Sequence, residues 1–209
     1  MEKSVKNCDL NKLESQPPKR LYNYKHKQRG VALMEWAIAL GLMGVAATAV
    51  ISWQKNATDA QMVNDTVQTV VNTATKARSL FGIANDFTGL NTIENWNNAG
   101  LVKSPFVWDA TNTKILDPWG HDVVVAANTS EFGMQIGGAN LGKETCVDLV
   151  KGISKFSHQL QVGDSASLAS GLTVTADNQV KSVSTDTPNP VAIATGCSET
   201  SPVIVFTIK

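Results

Sequence analysis

The chain has 209 residues, enough for one ordinary domain and an additional segment. Its formal net charge is zero, but residues 1–30 carry eight Lys/Arg and three Asp/Glu, whereas residues 31–209 carry ten and fifteen. The net negative charge of residues 31–209, called the body below, argues against nucleic-acid binding, which needs a cationic face. The opposite net charges of residues 1–30 and of the body indicate that they occupy different places.

Residues 1–30 form a basic head with no apolar period, interrupted by Pro17-Pro18. This composition is typical of an unfolded segment. The head ends in Lys25-His26-Lys27-Gln28-Arg29-Gly30. Cationic residues directly before an apolar run mark the cytoplasmic side of a membrane segment. We therefore expect residues 1–30 to stay in the cytoplasm.

The apolar run covers residues 31–53 and holds one charge, Glu35. A helix of this length reaches about 35 Å, enough for the roughly 30 Å hydrocarbon core of a bilayer. The run therefore predicts a membrane span. A carboxylate placed deep in lipid costs about 2.5–3.5 kcal/mol on insertion scales. Glu35 must therefore either meet a cation or lie at the membrane interface.

The helical pattern continues beyond the apolar run. Apolar residues recur at spacings of three and four, which predicts one apolar stripe on a polar helix: Ala57, Ala60, Val63, Val67, Val70, Val71, Ala74 and Ala77. Gly82 is a helix stop signal. The sequence thus predicts one helix over about 31–81, whose second half needs a globular domain, 54–209, to cover its stripe.

The globular part alternates short strands with helices. A short helix is predicted over 93–98 and a longer one over 144–157. Strands are predicted over 122–127, 132–136, 172–175, 179–183, 191–194 and 203–208. Asp117-Pro118-Trp119-Gly120 is a turn signal before the first strand, and Asp177-Asn178 suits a hairpin turn. Short strands with few parallel crossovers predict an α+β domain with an antiparallel sheet.

Aromatic residues concentrate between the long helix and the first strands. They are Trp96, Phe106, Trp108 and Trp119. Core packing of the helix on the sheet is the favoured interpretation, and an exposed binding patch is the alternative.

The body holds two cysteines, Cys146 and Cys197, far apart in sequence. If the body leaves the cytoplasm they predict a disulfide, and two cysteines allow only one connectivity. Closing a loop of about 50 residues is worth about 4 kcal/mol in the chain-entropy model. The alternative is two free thiols in a reducing compartment.

Residues 29–45 read RGVALMEWAIALGLMGV. A basic leader ending in Gly, followed by an apolar helix with Glu at its fifth position, resembles the signal of type IV prepilins. The long leader and the Val start resemble the type IVb subclass, and the chain is similar in layout to thin-pilus major pilins of the PilS type. The Asp-Pro-Trp-Gly turn and the distal cysteine pair are also similar to type IVb features.

The resemblance implies a type IV pilin-like fold and a structural role. A prepilin peptidase is expected to cut between Gly30 and Val31 and to N-methylate Val31. Glu35 would then neutralise the Val31 amine of a neighbour in a filament. The resemblance further implies an inner-membrane precursor, an assembly platform and ATPase, a periplasmic domain over 54–209, and a final place in an extracellular pilus serving adhesion, aggregation or conjugation.

Three alternatives remain open. A minor pilin or a type II secretion pseudopilin shares the same N-terminal signal. A secreted protein with an ordinary signal peptide would be cut near Ala47-Thr48-Ala49. A membrane-anchored periplasmic enzyme fits the anchor, but the sequence offers no zinc-type Cys/His spacing, no phosphate loop and no Gly-x-Ser-x-Gly elbow. We expect no metal, no cofactor, no nucleic-acid partner and no catalysis.

Overall fold

The computed structural model describes residues 29–83, 86–164, 166–168, 172, 179–184 and 187–209, with the backbone alone at 29–33, 46–53, 55 and 56. The elements run in order α1 (Arg29–Phe81), a 3-10 turn (Thr88–Leu90), α2 (Ile93–Asn98), β1 (Val107–Asp109), β2 (Lys114–Leu116), β3 (Val124–Ala127), β4 (Phe132–Gly137), α3 (Lys143–Ser154), β5 (Gln159–Gly163), β6 (Gln179–Lys181), α4 (Pro190–Gly196) and β7 (Val203–Ile208). The predicted α+β class is confirmed.

The chain divides into two compact units, Met1–Val50 and Ile51–Lys209. In the first unit, the structure describes only the beginning of α1, and residues 1–28 of the predicted head 1–30 lie outside the described residues. Among the helices that could be assessed over the described residues, none is long and apolar enough to cross a membrane. The span expected over 31–53 therefore stays a prediction.

The second unit is built on a five-stranded antiparallel sheet with the order β3-β4-β7-β5-β6. Strand β7 lies at its centre and is hydrogen-bonded to β4 and β5. Successive side chains of a strand point to opposite faces. Ile204 and Phe206 accordingly enter the main core, whereas Val205 joins a smaller cluster on the other face with Leu168 and Leu172.

The second half of α1 contributes to the same core as the sheet. Val63, Val70, Ala74 and Ala77 are buried, as the apolar stripe predicts. Ala57 and Ala60 of the predicted stripe are exposed, however. Three threonines of α1 are buried in the core in addition to its apolar residues: Thr66, Thr69 and Thr73. Their hydroxyls donate to the carbonyls of Met62 at 2.7 Å, Ser104 at 2.9 Å and Leu101 at 3.1 Å. Hydrogen bonding makes these polar groups tolerable in the core.

Gly82 follows the last residue of α1, as predicted. Helix α2 has the predicted bounds, and its cap is Thr92, whose side chain accepts from the backbone N–H of Asn95. The predicted strands at 122–127, 132–136, 179–183 and 203–208 correspond to β3, β4, β6 and β7 with small shifts of their ends. The strand expected over 172–175 and the turn at 177–178 lie largely outside the described residues.

One predicted strand is wrong. Residues 191–194 belong to helix α4, which is capped by Asn189: its side chain accepts from the backbone N–H groups of Val191 and Ala192. Pro190 occupies the first turn, where a missing N–H costs nothing. The alternation of short apolar runs does not distinguish a strand from one buried helical turn.

Asp117 organises the predicted turn at residues 117–120. Its side chain is fully buried, and one carboxylate oxygen accepts from the backbone N–H groups of Trp119 at 3.0 Å and His121 at 2.8 Å. The other oxygen accepts from the backbone N–H of Gly137 at 2.9 Å. The turn is therefore fastened to the end of β4, where Gly137 has φ +98°. A buried carboxylate needs such donors to remain in the core.

Gly152 of α3 lies directly against the Val67 side chain of α1. A Cβ at this position would lie 2.6 Å from Cγ2 of Val67, whose branched side chain has little freedom in a helix. We expect Gly152→Ala to lower the free energy of unfolding by about 1–3 kcal/mol through overpacking, although Ala favours helices. Thermal unfolding of the purified protein measures this.

Lys151→Ala on the exposed side of α3 is the matched control and should change stability by less than about 1 kcal/mol. Adding Val67→Ala to the Gly152 variant should restore part of the loss by making room. A Gly152→Ala protein as stable as the parent would contradict the close α1–α3 contact.

Candidate functional site

The predicted processing site lies at the start of α1. The helix begins at Arg29, so the bond between Gly30 and Val31 falls in its first turn. The N–H groups of a first turn have no intrahelical partner, and this turn is the easiest part of a helix to open. The cut between Gly30 and Val31 stays a prediction.

Glu35 follows Val31 by four residues, so the two positions share one face of α1 about 6 Å apart along its axis. The Glu35 side chain is exposed. Between residues 34 and 45 every described side chain is exposed, including the large apolar ones: Met34, Trp36, Ile38, Leu40, Leu42, Met43 and Val45, each between 57% and 70%. This part of α1 thus presents a carboxylate within an uncovered apolar surface.

A shallow hollow of about 310 Å³ lies on this stretch of α1. It is lined by Glu35, Trp36, Ala39 and Met43. Its walls are an indole ring, a thioether chain and a methyl group, and a carboxylate lies at its N-terminal end. Sequence reasoning identified Glu35 but missed the contribution of Trp36, which the spacing 36, 39, 43 along one helix face could have indicated.

Cys146 and Cys197 form a disulfide, as predicted. Their Cα atoms are 5.7 Å apart, within the normal range for such a bond. Cys146 lies in α3 and Cys197 directly follows α4, and both are buried. The disulfide therefore joins the two helices that flank the β5–β6 region, across 51 positions of sequence.

Lys181 supports the same region from within the sheet. It is 8% exposed, and its Nζ donates to the carbonyl oxygens of Ser157 at 2.8 Å and Ser154 at 3.3 Å. Ser154 is the last residue of α3, where the helix dipole favours a cation, and Ser157 lies in the segment between α3 and β5. The end of α3 is thus held by a charge from β6 and by a nearby disulfide.

Two carboxylates outside these sites have a lowered pKa. The Asn112 side-chain amide and then the Thr111 N–H donate to Asp109, and the Thr88 hydroxyl and N–H donate to Asp86. Because folding depresses each pKa, their stabilising effect is present above the ordinary value of 3.8 and is lost as the pH falls below it. Asp109 ends β1, and Asp86 precedes the 3-10 turn Thr88–Leu90.

The aromatic concentration is largely a core feature. Trp96 and Phe106 are buried, whereas Trp108 and Trp119 are half-buried against the core. The indole N–H of Trp96 donates to the Leu90 carbonyl at 2.7 Å, and its ring meets the edge of Phe132 with centroids 5.9 Å apart. The structure favours packing over an exposed binding patch.

A groove of about 410 Å³ lies between α1 and α3 and was not foreseen. Val63, Val67 and Phe156 line it together with charged residues of α3, Asp148 and Lys151. Over the described residues, no group of three His, Cys, Asp or Glu side chains could hold a metal ion.

Comparison with known proteins gives the following similarities. No family model matches the sequence. The chain is similar to the "Major structural subunit of bundle-forming pilus" of Escherichia coli O111:H- and of Escherichia coli O127:H6 (strain E2348/69 / EPEC). Each is 24% identical over 191 residues, which cover 87% of this chain and 93% of the relative.

Among solved structures, the chain is similar to the crystal structure of TcpA, a type IV pilin from Vibrio cholerae El Tor biotype. The TM-score is 0.49 at 17% identity, over 71% of this chain and 99% of that chain. The sequence similarity to the pilus subunits spans nearly the whole length of both chains.

Replacing both Cys146 and Cys197 by Ser should lower the free energy of unfolding by about 4 kcal/mol in the chain-entropy model, because the unfolded chain regains the freedom of the closed loop. Chemical unfolding followed by tryptophan fluorescence measures the change. The parent under reducing conditions is the matched control, and it should lose the same stability, because reduction opens the same Cys146–Cys197 loop without a change of sequence. Equal stability of the double variant and the parent would show that the disulfide does not stabilise the folded protein.

Proposed function

We propose that this chain, a homologue of the major subunits of type IVb pili, is itself the major structural subunit of such a pilus. The observation that carries the proposal is the sequence similarity over 87% of this chain to relatives named as major subunits of a bundle-forming pilus. The subunit would form a helical homopolymer that serves adhesion, aggregation or conjugation.

The N-terminal sequence supports processing by a prepilin peptidase. Gly30 closes a basic head, Val31 opens the apolar run and Glu35 stands at its fifth position. In this proposal the peptidase cuts after Gly30 and methylates the amine of Val31. The cut both releases the cytoplasmic head and creates a new cation at the start of α1.

Assembly then follows from the chemistry of α1. The exposed apolar side chains between residues 34 and 45 are covered by the inner membrane in the precursor and by sister helices in the filament. From Val31 to Trp53 the sequence holds one charged side chain, Glu35. The amine of Val31 from a neighbouring subunit supplies the charge that neutralises this carboxylate in an apolar core.

The remaining partners and places are inferred from this role. An inner-membrane assembly platform and an assembly ATPase would move the subunit from the membrane into the filament. The globular unit would fold in the periplasm, where an oxidising environment permits the Cys146–Cys197 disulfide. The final place would be an extracellular pilus on a Gram-negative cell.

A structural role accounts for the absence of a recognisable reaction site in the sequence. The relatives are named as structural subunits, and their title favours a major subunit over a minor pilin or a pseudopilin. Ordinary secretion with a cut near Ala47 would break α1 and leave Gly30 and Glu35 without a function.

Gly30→Ala should block or slow the removal of residues 1–30, because it places a Cβ directly beside the bond that the peptidase is proposed to cut. Immunoblots of membranes should show the longer precursor in place of the mature subunit. Gly44→Ala is the matched control, since a Cβ there meets nothing within 4 Å, and its processing should be normal. A normal yield of mature Gly30→Ala protein would place the cut elsewhere.

A further inference from the structure

The lining of the hollow at Glu35 is complementary to one particular kind of ligand. Its lining pairs a carboxylate with an indole ring, a thioether chain and the methyl of Ala39. A purely apolar occupant would leave the carboxylate without a partner, and a strongly hydrated cation would gain little from the ring. The complementary ligand is a small ammonium group that carries apolar substituents.

We propose that the hollow receives the methylated N-terminal ammonium of Val31 from a second copy of this chain, with Glu35 as counter-ion and Trp36 as cation–π partner. This inference rests on the proposed function and adds to it a second residue that contacts the amine. The cationic nitrogen lies against the indole face while its hydrogens point to the carboxylate.

Charge complementarity singles out this occupant. The sequence from 31 to 53 contains no Lys, Arg or His, so a core formed by these segments offers one cation per subunit, the new N-terminus. It also offers one anion per subunit, Glu35. Each hollow therefore has one ligand of the right sign available.

The occupant comes from another copy because of where the hollow lies along α1. Residues 35–43 extend about 12 Å toward the C-terminus, whereas the amine of the same chain lies about 6 Å on the N-terminal side of Glu35. The chain's own amine can reach the carboxylate end of the hollow but not the space beside Trp36, Ala39 and Met43.

Methylation of the Val31 amine strengthens its proposed contact with the indole ring of Trp36. Adding a methyl group to the amine retains its charge but weakens its hydration, and aromatic faces favour such ammonium groups most strongly when water is excluded. An apolar filament core excludes water. Trp36 therefore favours the methylated, assembled state over the hydrated subunit, which a Leu of similar apolar character could not do.

The test replaces Trp36 by tryptophans carrying one, two or three ring fluorines, introduced at this codon alone. Fluorine withdraws charge from the ring face and retains its shape, so a cation–π contact weakens with each substitution. We expect filament yield per mature, methylated subunit to fall in steps, by about tenfold for the trifluorinated ring. Intact mass of the subunit pool verifies cleavage and methylation in every variant.

The same series at Trp119, half-buried in the globular unit, is the matched control and should show no trend. A flat or rising yield across the Trp36 series would overturn the inference, because the ring would then act only through apolar contact. Glu35→Gln separates this failure from that of the proposed ion pair. Loss of filaments in Glu35→Gln with a flat fluorine series rejects Trp36 alone, whereas normal filaments in Glu35→Gln reject both.

Discussion

An uncovered apolar helix is the constraint on which the account of this protein depends. The large side chains of α1 between residues 34 and 45 are exposed, and water disfavours such a surface by roughly 25 cal/mol for each Å². Something other than water has to cover it. Bilayer lipid and sister helices are the two covers that the proposed life cycle supplies in turn. Because both covers are apolar, the proposed assembly requires a cationic partner for Glu35, the single carboxylate of the segment.

The globular unit is stabilised independently of that helix start. Strand β7 is hydrogen-bonded on both sides and buried on both faces, so it joins the core under α1 to the smaller cluster around Leu168. The disulfide and the buried Lys181 fix the end of α3 and the α4 region around this strand. Under the proposed function the subunit has to keep its shape outside the cell, and such covalent closure stabilises it there.

Much of this architecture could be predicted from the sequence, because its signals are local. The long apolar period and Gly82 specify α1, and the Thr92 cap specifies α2.

The α4 region was predicted wrongly because a four-residue apolar run fits both the period of a strand and that of a helix. Asn189 followed by Pro190 was nevertheless a recognisable helix start. Strand β5 and the hairpin of β1 and β2 were missed because they are short and rely on their partners in the sheet. The burial of Thr69 and Thr73 in α1 was missed because their acceptors, the Ser104 and Leu101 carbonyls, lie far away in sequence. At the candidate site, Glu35 was identified as the one charge of the apolar run and through the resemblance to prepilins, whereas Trp36 was not singled out from the sequence.

The central claim is that the mature subunit begins at Val31, and N-terminal sequencing with intact mass measurement of the protein from surface filaments tests it most directly. The account predicts a first residue of Val31 carrying one added methyl group. A protein that begins near Val50 or Ser52 would contradict it, because ordinary secretion would then have removed Glu35 and the apolar half of α1 from the mature chain.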